Sequence, residues 1–412
     1  MLTTHRVHYA WVICLAGTLM LFTSIGLGVN VFSAFQPHLM AYADLTNTQG
    51  SFIITVRSFF LLIGMTTANT LVDRLGIRRG GTLALMMVAL SSFLFGAVRQ
   101  FPLYCLAAAL VGLSYSWAGM IPASLLISRW FHDRRALALG IVSAGTGFAT
   151  IVAPVPFTAL IETFSLRVSF WTEAAIVLVL TLLYFVLARN TPEELGMSPY
   201  RLAGLEDTPA QPRTAPRGLT RPRWYAVLAA CFCVGAATSL GISNTGVLYS
   251  TAGYDADVVA RLISVMGLCM MVGKVIYGQV ADRVGGRLSN YLIYALILAG
   301  FVLCCMADTG SVPLAYAAMV LAGLGMPVST VALPIWARDL CGDEGYARGL
   351  KWIQSLYGLG IFLVGPLPGA LADRTGSYVP TYAIFLGMLA LSLVLVGYVY
   401  AKTQAGGRPE RA

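Results

Sequence analysis

Charge is what this sequence has least of: only 11% of its 412 residues are Asp, Glu, Lys or Arg, against 58% that are hydrophobic. With a mean hydropathy of +0.76, the chain has too few polar side chains to coat a soluble globule of its size, so lipid must be its solvent. Acidic residues are the scarcer sign, 18 against 27 basic. None lies deep in the first, fourth, seventh or tenth apolar stretch, which leaves an acid-centred proton relay little to stand on. Glu173, a turn or so inside the sixth stretch, reads as an interfacial residue. The four histidines, His5, His8, His38 and His132, all fall near the edges of the apolar stretches. With no Ser/His/Asp set, phosphate loop or metal cluster beside them, the chain is not expected to be an enzyme. The eight cysteines lie mostly within apolar stretches, and Cys231 and Cys233, two apart, point to nearly opposite sides of a helix. They read as small packing residues, so neither a disulfide framework, a metal nor a cofactor is expected.

What the sequence does have is apolar stretches of roughly 20 to 25 residues, long enough to cross a hydrocarbon core of about 30 Å at about 1.5 Å per residue. An all-α membrane protein of twelve transmembrane helices follows. The spans fall near 9–35, 47–71, 80–98, 102–128, 135–160, 168–189, 224–250, 258–281, 288–307, 312–337, 348–371 and 379–402. The first is too long for a secretory core and lacks an obvious small-residue cleavage site, so it is expected to be retained. A net charge of +9 would suggest nucleic acid in a soluble protein, but here the positions of the charges report orientation. With the N-terminus cytoplasmic, 21 of the 27 basic residues fall on one side and only Arg99, Arg167, Arg261 and Arg374 on the other. This positive-inside asymmetry predicts a multi-pass protein of the cell (inner) membrane with both termini cytoplasmic. The lipid bilayer, not nucleic acid, is its expected partner, and a monomer is the expected state.

Compared with itself at a shift of 209 residues, the chain aligns Asp73-Arg74-Leu75-Gly76 with Asp282-Arg283-Val284-Gly285, and Arg129 with Arg338. At a shift of 212, Pro154-Val155-Pro156 falls on Pro366-Leu367-Pro368. Such a long-period duplication implies two six-helix bundles, 1–190 and 224–412. Between them, 191–223 is rich in Pro, Arg and small polar residues and reads as a cytoplasmic linker without chemistry of its own.

These features resemble the major facilitator superfamily over essentially the whole chain. Its loop motif is complete in the second half as Gly278, Asp282, Arg283, Gly285 and Arg287, whereas the first half has Asn69 in place of the glycine but keeps Asp73, Arg74, Gly76 and Arg78. The resemblance implies that Asp73 with Arg134 or Arg135, and Asp282 with Arg348, act as cytoplasmic gate pairs, with Arg74 and Arg283 as motif neighbours that serve the gate or merely enforce topology. Ser128-Arg129-Trp130-Phe131-His132-Asp133-Arg134-Arg135, followed by Gly140, Ala144, Gly145 and Gly147, is similar to the monocarboxylate and oxalate/formate porter group. That group carries a cation in helix 8 four residues before the motif glycine, usually arginine; here it is Lys274. A lysine keeps the charge without the bidentate fork of arginine.

An ionised side chain near the middle of a membrane costs about 2.5–3.5 kcal/mol and normally faces a cavity or a partner. Lys274 lies eight residues before Asp282, about 12 Å from the cytoplasmic end. Gly267, Met270, Tyr277 and Gly278 share its helical face, a mixture suited to a ligand pocket, the alternative being an internal ion pair or polar packing. Arg57 lies sixteen residues before Asp73, about 24 Å up its helix in the outer third. It either attracts an anion at the entry side or snorkels to the interface. Asn30, Tyr115, Asn244, Gln354 and Tyr357 are further candidates to hydrogen-bond a carboxylate, or else interhelical glue. Pro122, Pro154, Pro327, Pro334 and Pro366 interrupt helices where bending is needed. Together these residues read as a secondary active or facilitative transporter of small organic anions, monocarboxylates or related carboxylates, working by alternating access. Its coupled partner is a proton or a counter-anion, if there is one. The alternatives are an inorganic anion porter of nitrate type and a non-transporting membrane sensor on the same fold.

Overall fold

The computed structural model describes residues 8–32, 35, 38–39, 42–45, 47–201 and 219–405. Among them ten helices are long and apolar enough to cross a membrane. Two of these, Phe52–Ala97 and Val312–Ala372, run to 46 and 61 residues, or about 69 and 92 Å at the α-helical rise, more than twice the thickness of a hydrocarbon core. Each turns at a glycine with left-handed φ: Gly76 (φ 74°, ψ 168°) and Gly342 (φ 67°, ψ −179°). Lacking a Cβ, glycine reaches this region at no steric cost, so one residue separates two spans without an open loop. The ten helices therefore resolve into the twelve spans expected.

The spans are α1, Tyr9–Leu21 continuing as the π-helical Phe22–Val31; α2 and α3, the arms of Asn47–Ala97 before and after Gly76; and α4, Phe101–Trp117 with Met120–Trp130. They continue as α5, Arg135–Val152 with Pro154–Thr163; α6, Leu166–Leu187; and α7, Arg221–Val234 through the π-helical Gly235–Ser239 to Leu240–Thr251. Next come α8, Ala256–Val284, and α9, Gly286–Cys304. The tenth, α10, is Val312–Gly325 with the 3-10 turn Met326–Ser329 and the first arm of Ala332–Val364. After Gly342 the second arm, with Leu367–Thr375, forms α11, and α12 is Val379–Ala405. The helices overrun the hydropathy boundaries at α2, α3, α10 and α11. Hydropathy marks where lipid ends, whereas the backbone ladder continues until a residue leaves helical φ/ψ.

By internal packing the chain divides into two compact units, Met1–Phe60 with Thr67–Ala210, and Leu61–Thr66 with Gln211–Ala412. Each unit repeats the same devices. In the first, a methyl added at Gly26 would run into Ala149 Cβ, so α1 and α5 cross backbone to backbone. In the second, a methyl at Gly235, 209 residues later, would run into the Tyr357 carbonyl where α7 crosses α11. Small residues permit such approach where lipid offers no hydrophobic drive to pack. The interruptions recur as well: π-helix in α1 and α7, a break after Trp117 in α4 and after Gly325 in α10, and a break ahead of Pro154 in α5 and Leu367 in α11. Pro122, Pro154, Pro327, Pro334 and Pro366 all fall at such a break or within the first turn after it.

Candidate substrate-binding and gate residues

In the second unit, Lys274 is only 2% exposed. Its neighbours at helical spacing, Met266, Gly267, Met270, Gly273, Tyr277 and Gly278, are buried with it, whereas Leu268, Val272 and Ile276 face outward. The helical pitch thus turns the ammonium away from lipid, and α8 lies against α10 with Gly273 seated on Leu324 and Gly323 on Met266. Tyr277, expected beside Lys274 as a ligand residue, donates its hydroxyl to Asn290 Oδ1 (3.2 Å), which also accepts from Trp336 Nε1 (2.8 Å). The phenol is a tie between α8 and α9, because a buried hydroxyl takes the nearest acceptor. Asn244 Nδ2 donates to the carbonyl one turn back, Leu240 (2.8 Å).

Gln354 and Tyr357 lie on the buried face of α11. Gln354 is 2% exposed, and its Nε2 has no hydrogen-bond partner among the described residues. The Tyr357 hydroxyl lies among those of Thr238, Ser239 and Ser329. Those three hydroxyls come from the π-helical stretch of α7 and the 3-10 turn of α10, so the polar cluster sits where the two interrupted helices have lost regular backbone pairing. Sequence reasoning missed them; the available signal was Pro327 aligned by the 209-residue shift with Ala118, next to the break in α4.

In the first unit, the Arg57 guanidinium stands over the Phe32 ring at 5.9 Å and within electrostatic reach of Tyr115. Both Arg57 and Tyr115 are half-buried. Asn30 Nδ2 donates to Thr150 Oγ1 (3.0 Å), tying α1 to α5. Glu173, expected at the interface, is instead 3% exposed and hydrogen-bonded to Ser92 of α3. It shares the inward face of α6 with Ser169, Phe170, Ala174 and Val177. Position along the helix left its facing open, and the buried stripe decides it.

The expected gate pairs are not formed. Asp73, Arg74 and Arg134 are exposed, and no ion pair joins Asp73 to Arg134 or Arg135 among the described residues; Arg135 Nε donates to the Phe131 carbonyl. Asp282, Arg283 and Arg348 are exposed too, and no ion pair joins Asp282 to Arg348. Ion pairs that do form include His132 with Asp133 (3.2 Å) and Arg338 with Asp343 (3.6 Å).

The segment after α6 also departs from expectation. Asn190 Oδ1 accepts from the Arg78 amide (2.9 Å), and its Nδ2 donates to Glu194 (2.8 Å). Farther on, the Tyr200 amide donates to the Trp130 carbonyl (2.8 Å), and its carbonyl accepts from His132 N (3.0 Å). The Tyr200 ring packs on His8, Trp11 and Phe131. Residues 190–200 therefore strap the α2–α3 turn, the α4–α5 loop and the start of α1 together. Residues 202–218, the rest of the expected linker, lie outside the described residues.

Twelve spans, two units with the same interruptions and a glycine turn in each loop motif, Gly76 (φ 74°) and Gly285 (φ 81°), define the architecture. Residues 18–365 match the sequence model of the Major Facilitator Superfamily. The chain belongs to that superfamily. Human monocarboxylate transporter 12 is 26% identical to this superfamily member over 372 residues, covering 82% of this chain and 69% of that protein. Rat monocarboxylate transporter 13 is 26% identical over 348 residues, covering 80% of this chain and 74% of its own. The crystal structure of the E. coli fucose:proton symporter superposes with a TM-score of 0.68 at 16% identity, covering 97% of this chain and all of that one. At that identity it attests the major facilitator fold alone. The protein is thus a multi-pass membrane protein of a transporter superfamily.

Proposed function

We propose that this transporter carries small monocarboxylate anions by alternating access, with Lys274 as the charge that receives them. The observation carrying the reading is the near-complete burial of Lys274 on the inward face of α8, eight residues from the loop aspartate. A cation held out of water at that depth is costly, and a carboxylate arriving beside it offsets the cost by direct charge pairing. Relief of the buried charge lets the loaded carrier reorient, so binding and reorientation share one electrostatic term. A compact ammonium with rotatable donors sets few demands on carboxylate orientation, which suits a carrier of several related monocarboxylates. The named activity of the monocarboxylate transporter relatives agrees with this cargo. The Thr238, Ser239, Ser329 and Tyr357 hydroxyls with the Gln354 amide are the groups proposed to hydrogen-bond it, and Arg57 attracts anions in the first unit. Arg134 and Arg348 gain their carboxylate partners Asp73 and Asp282 when the cytoplasmic side closes. Movement is coupled to a proton or a counter-anion.

Uptake into proteoliposomes by wild type, Lys274→Ala and Lys274→Arg tests the reading. Alanine is expected to lower monocarboxylate uptake about 100-fold at unchanged elution on size exclusion, and arginine to retain part of it. Full transport by the alanine variant, or competition by nitrate but not by lactate or pyruvate, would overturn it.

A further inference from the structure

Two of the few basic residues on the face opposite the Gly76 turn converge on one phenol. Arg99, between α3 and α4, donates from Nη2 to the Tyr42 hydroxyl (2.9 Å), with its guanidinium 4.4 Å from that ring's centroid. Arg167, the second residue of α6, donates from Nε to the Gly96 carbonyl (3.2 Å) and also reaches the Tyr42 oxygen. The Arg99 hydrogen bond holds the Tyr42 phenol below the usual tyrosine range, a sign of positive potential at this spot. Among the described residues neither guanidinium forms an ion pair with a carboxylate; Asp44 acts on Arg99 only at longer range. Residues 33, 34, 36, 37, 40, 41 and 46 are Ser, Ala, Gln, Pro, Met, Ala and Thr, so they bring no negative charge. Arg167 also stands at the positive end of the α6 dipole, where a cation is disfavoured. Two like charges that share one phenol, with no carboxylate paired to either among the described residues, favour an anion there.

What lies beneath them says which anion. Trp171, one turn after Arg167, stacks on Phe93 (5.9 Å between centroids, 14° between planes), and both rings are exposed on the membrane side of the arginines. The indole fits into a notch at Gly96 that an added methyl would fill, and the Arg167 guanidinium sits 5.6 Å from its ring. Aromatic rings of this kind mark the level where acyl chains give way to headgroups. Guanidinium forks match phosphate oxygens in shape and charge. We propose that Arg99 and Arg167 form a headgroup site for an anionic phospholipid, the two guanidiniums clasping its phosphodiester while an acyl chain descends along Trp171 and Phe93. The site is independent of which substrate the carrier moves.

Intact-complex mass spectrometry of the purified full-length protein with dioleoyl phosphatidylglycerol or dioleoyl phosphatidylcholine tests this. Wild type is expected to retain one more phosphatidylglycerol than Arg99→Gln/Arg167→Gln, with no difference for phosphatidylcholine. The Arg99→Lys/Arg167→Lys variant, which keeps the charge, recovers at least part of that occupancy, and each single glutamine variant lowers it should the double variant fail to fold. Equal phosphatidylglycerol retention by wild type and the glutamine variants overturns the proposal. So does displacement of the extra lipid by inorganic phosphate at roughly 10 mM, a competitor without acyl chains, because the site would then bind free oxyanions.

Discussion

Lys274 and Gln354 pose the same question at the residue scale: why a polar group should be held out of water in a helix that could have carried leucine. For Gln354 the test is direct. Its amide nitrogen is buried without a hydrogen-bond partner among the described residues, a condition that costs about 1–3 kcal/mol. Gln354→Leu is therefore expected to leave thermal stability unchanged or raised by a few degrees while raising the KM for monocarboxylate several-fold, measured by scanning fluorimetry and liposome uptake. A fall in melting temperature with unchanged KM would make the amide a structural group. Lys274 was legible in the sequence because a charge in an apolar stretch stands out, and so was its facing, from glycines at helical spacing. Glu173 was misread because its depth near a helix end agreed equally with interface and interior. Tyr277 lies on the buried face expected of it, and its hydrogen bond to Asn290 depends on a neighbouring helix that the sequence does not place.

Among the elements, the crossings of α1 with α5 and of α7 with α11 depend on glycine. Gly235→Val would force the side chain into the Tyr357 carbonyl, and overpacking of this kind costs about 1–3 kcal/mol. A melting temperature lowered by several degrees, or loss of the monodisperse peak, is expected. Gly387→Ala in α12, where an added methyl meets nothing within 4 Å, should be neutral or slightly stabilising. The repeated Pro-X-Pro and Asp-Arg-X-Gly patterns announced where two of the interruptions and two of the turns lie. Neither the π-helical stretches nor the hydroxyl cluster around Tyr357 could be read that way, since both depend on which neighbouring helix supplies the next partner.

On the scale of the whole molecule, the two compact units carry different demands on the segment between them. Residues 190–200 are bound at both ends by hydrogen bonds and rings, whereas 202–218 has the composition of a solvated connector. Co-expression of 1–210 with 211–412 is expected to restore most of the uptake of the intact chain. Tyr200→Ala, which removes the ring packed on Trp11 and Phe131, should lower stability by about 1–3 kcal/mol, read as a lower melting temperature. Equal tolerance of both changes would mean that the strap does not hold the start of α1, the α2–α3 turn and the α4–α5 loop together.

Taken alone, the sequence determined the solvent, the number of spans, the duplication and the inward facing of Lys274, because each follows from local composition and from the pitch of a helix. Tertiary structure alone decided which hydroxyl meets which carbonyl, that no ion pair joins Asp73 to Arg134 or Arg135 among the described residues, and that Arg99 and Arg167 share Tyr42. Those outcomes turn on a few ångströms between segments tens to hundreds of residues apart, and no local pattern encodes distances of that kind.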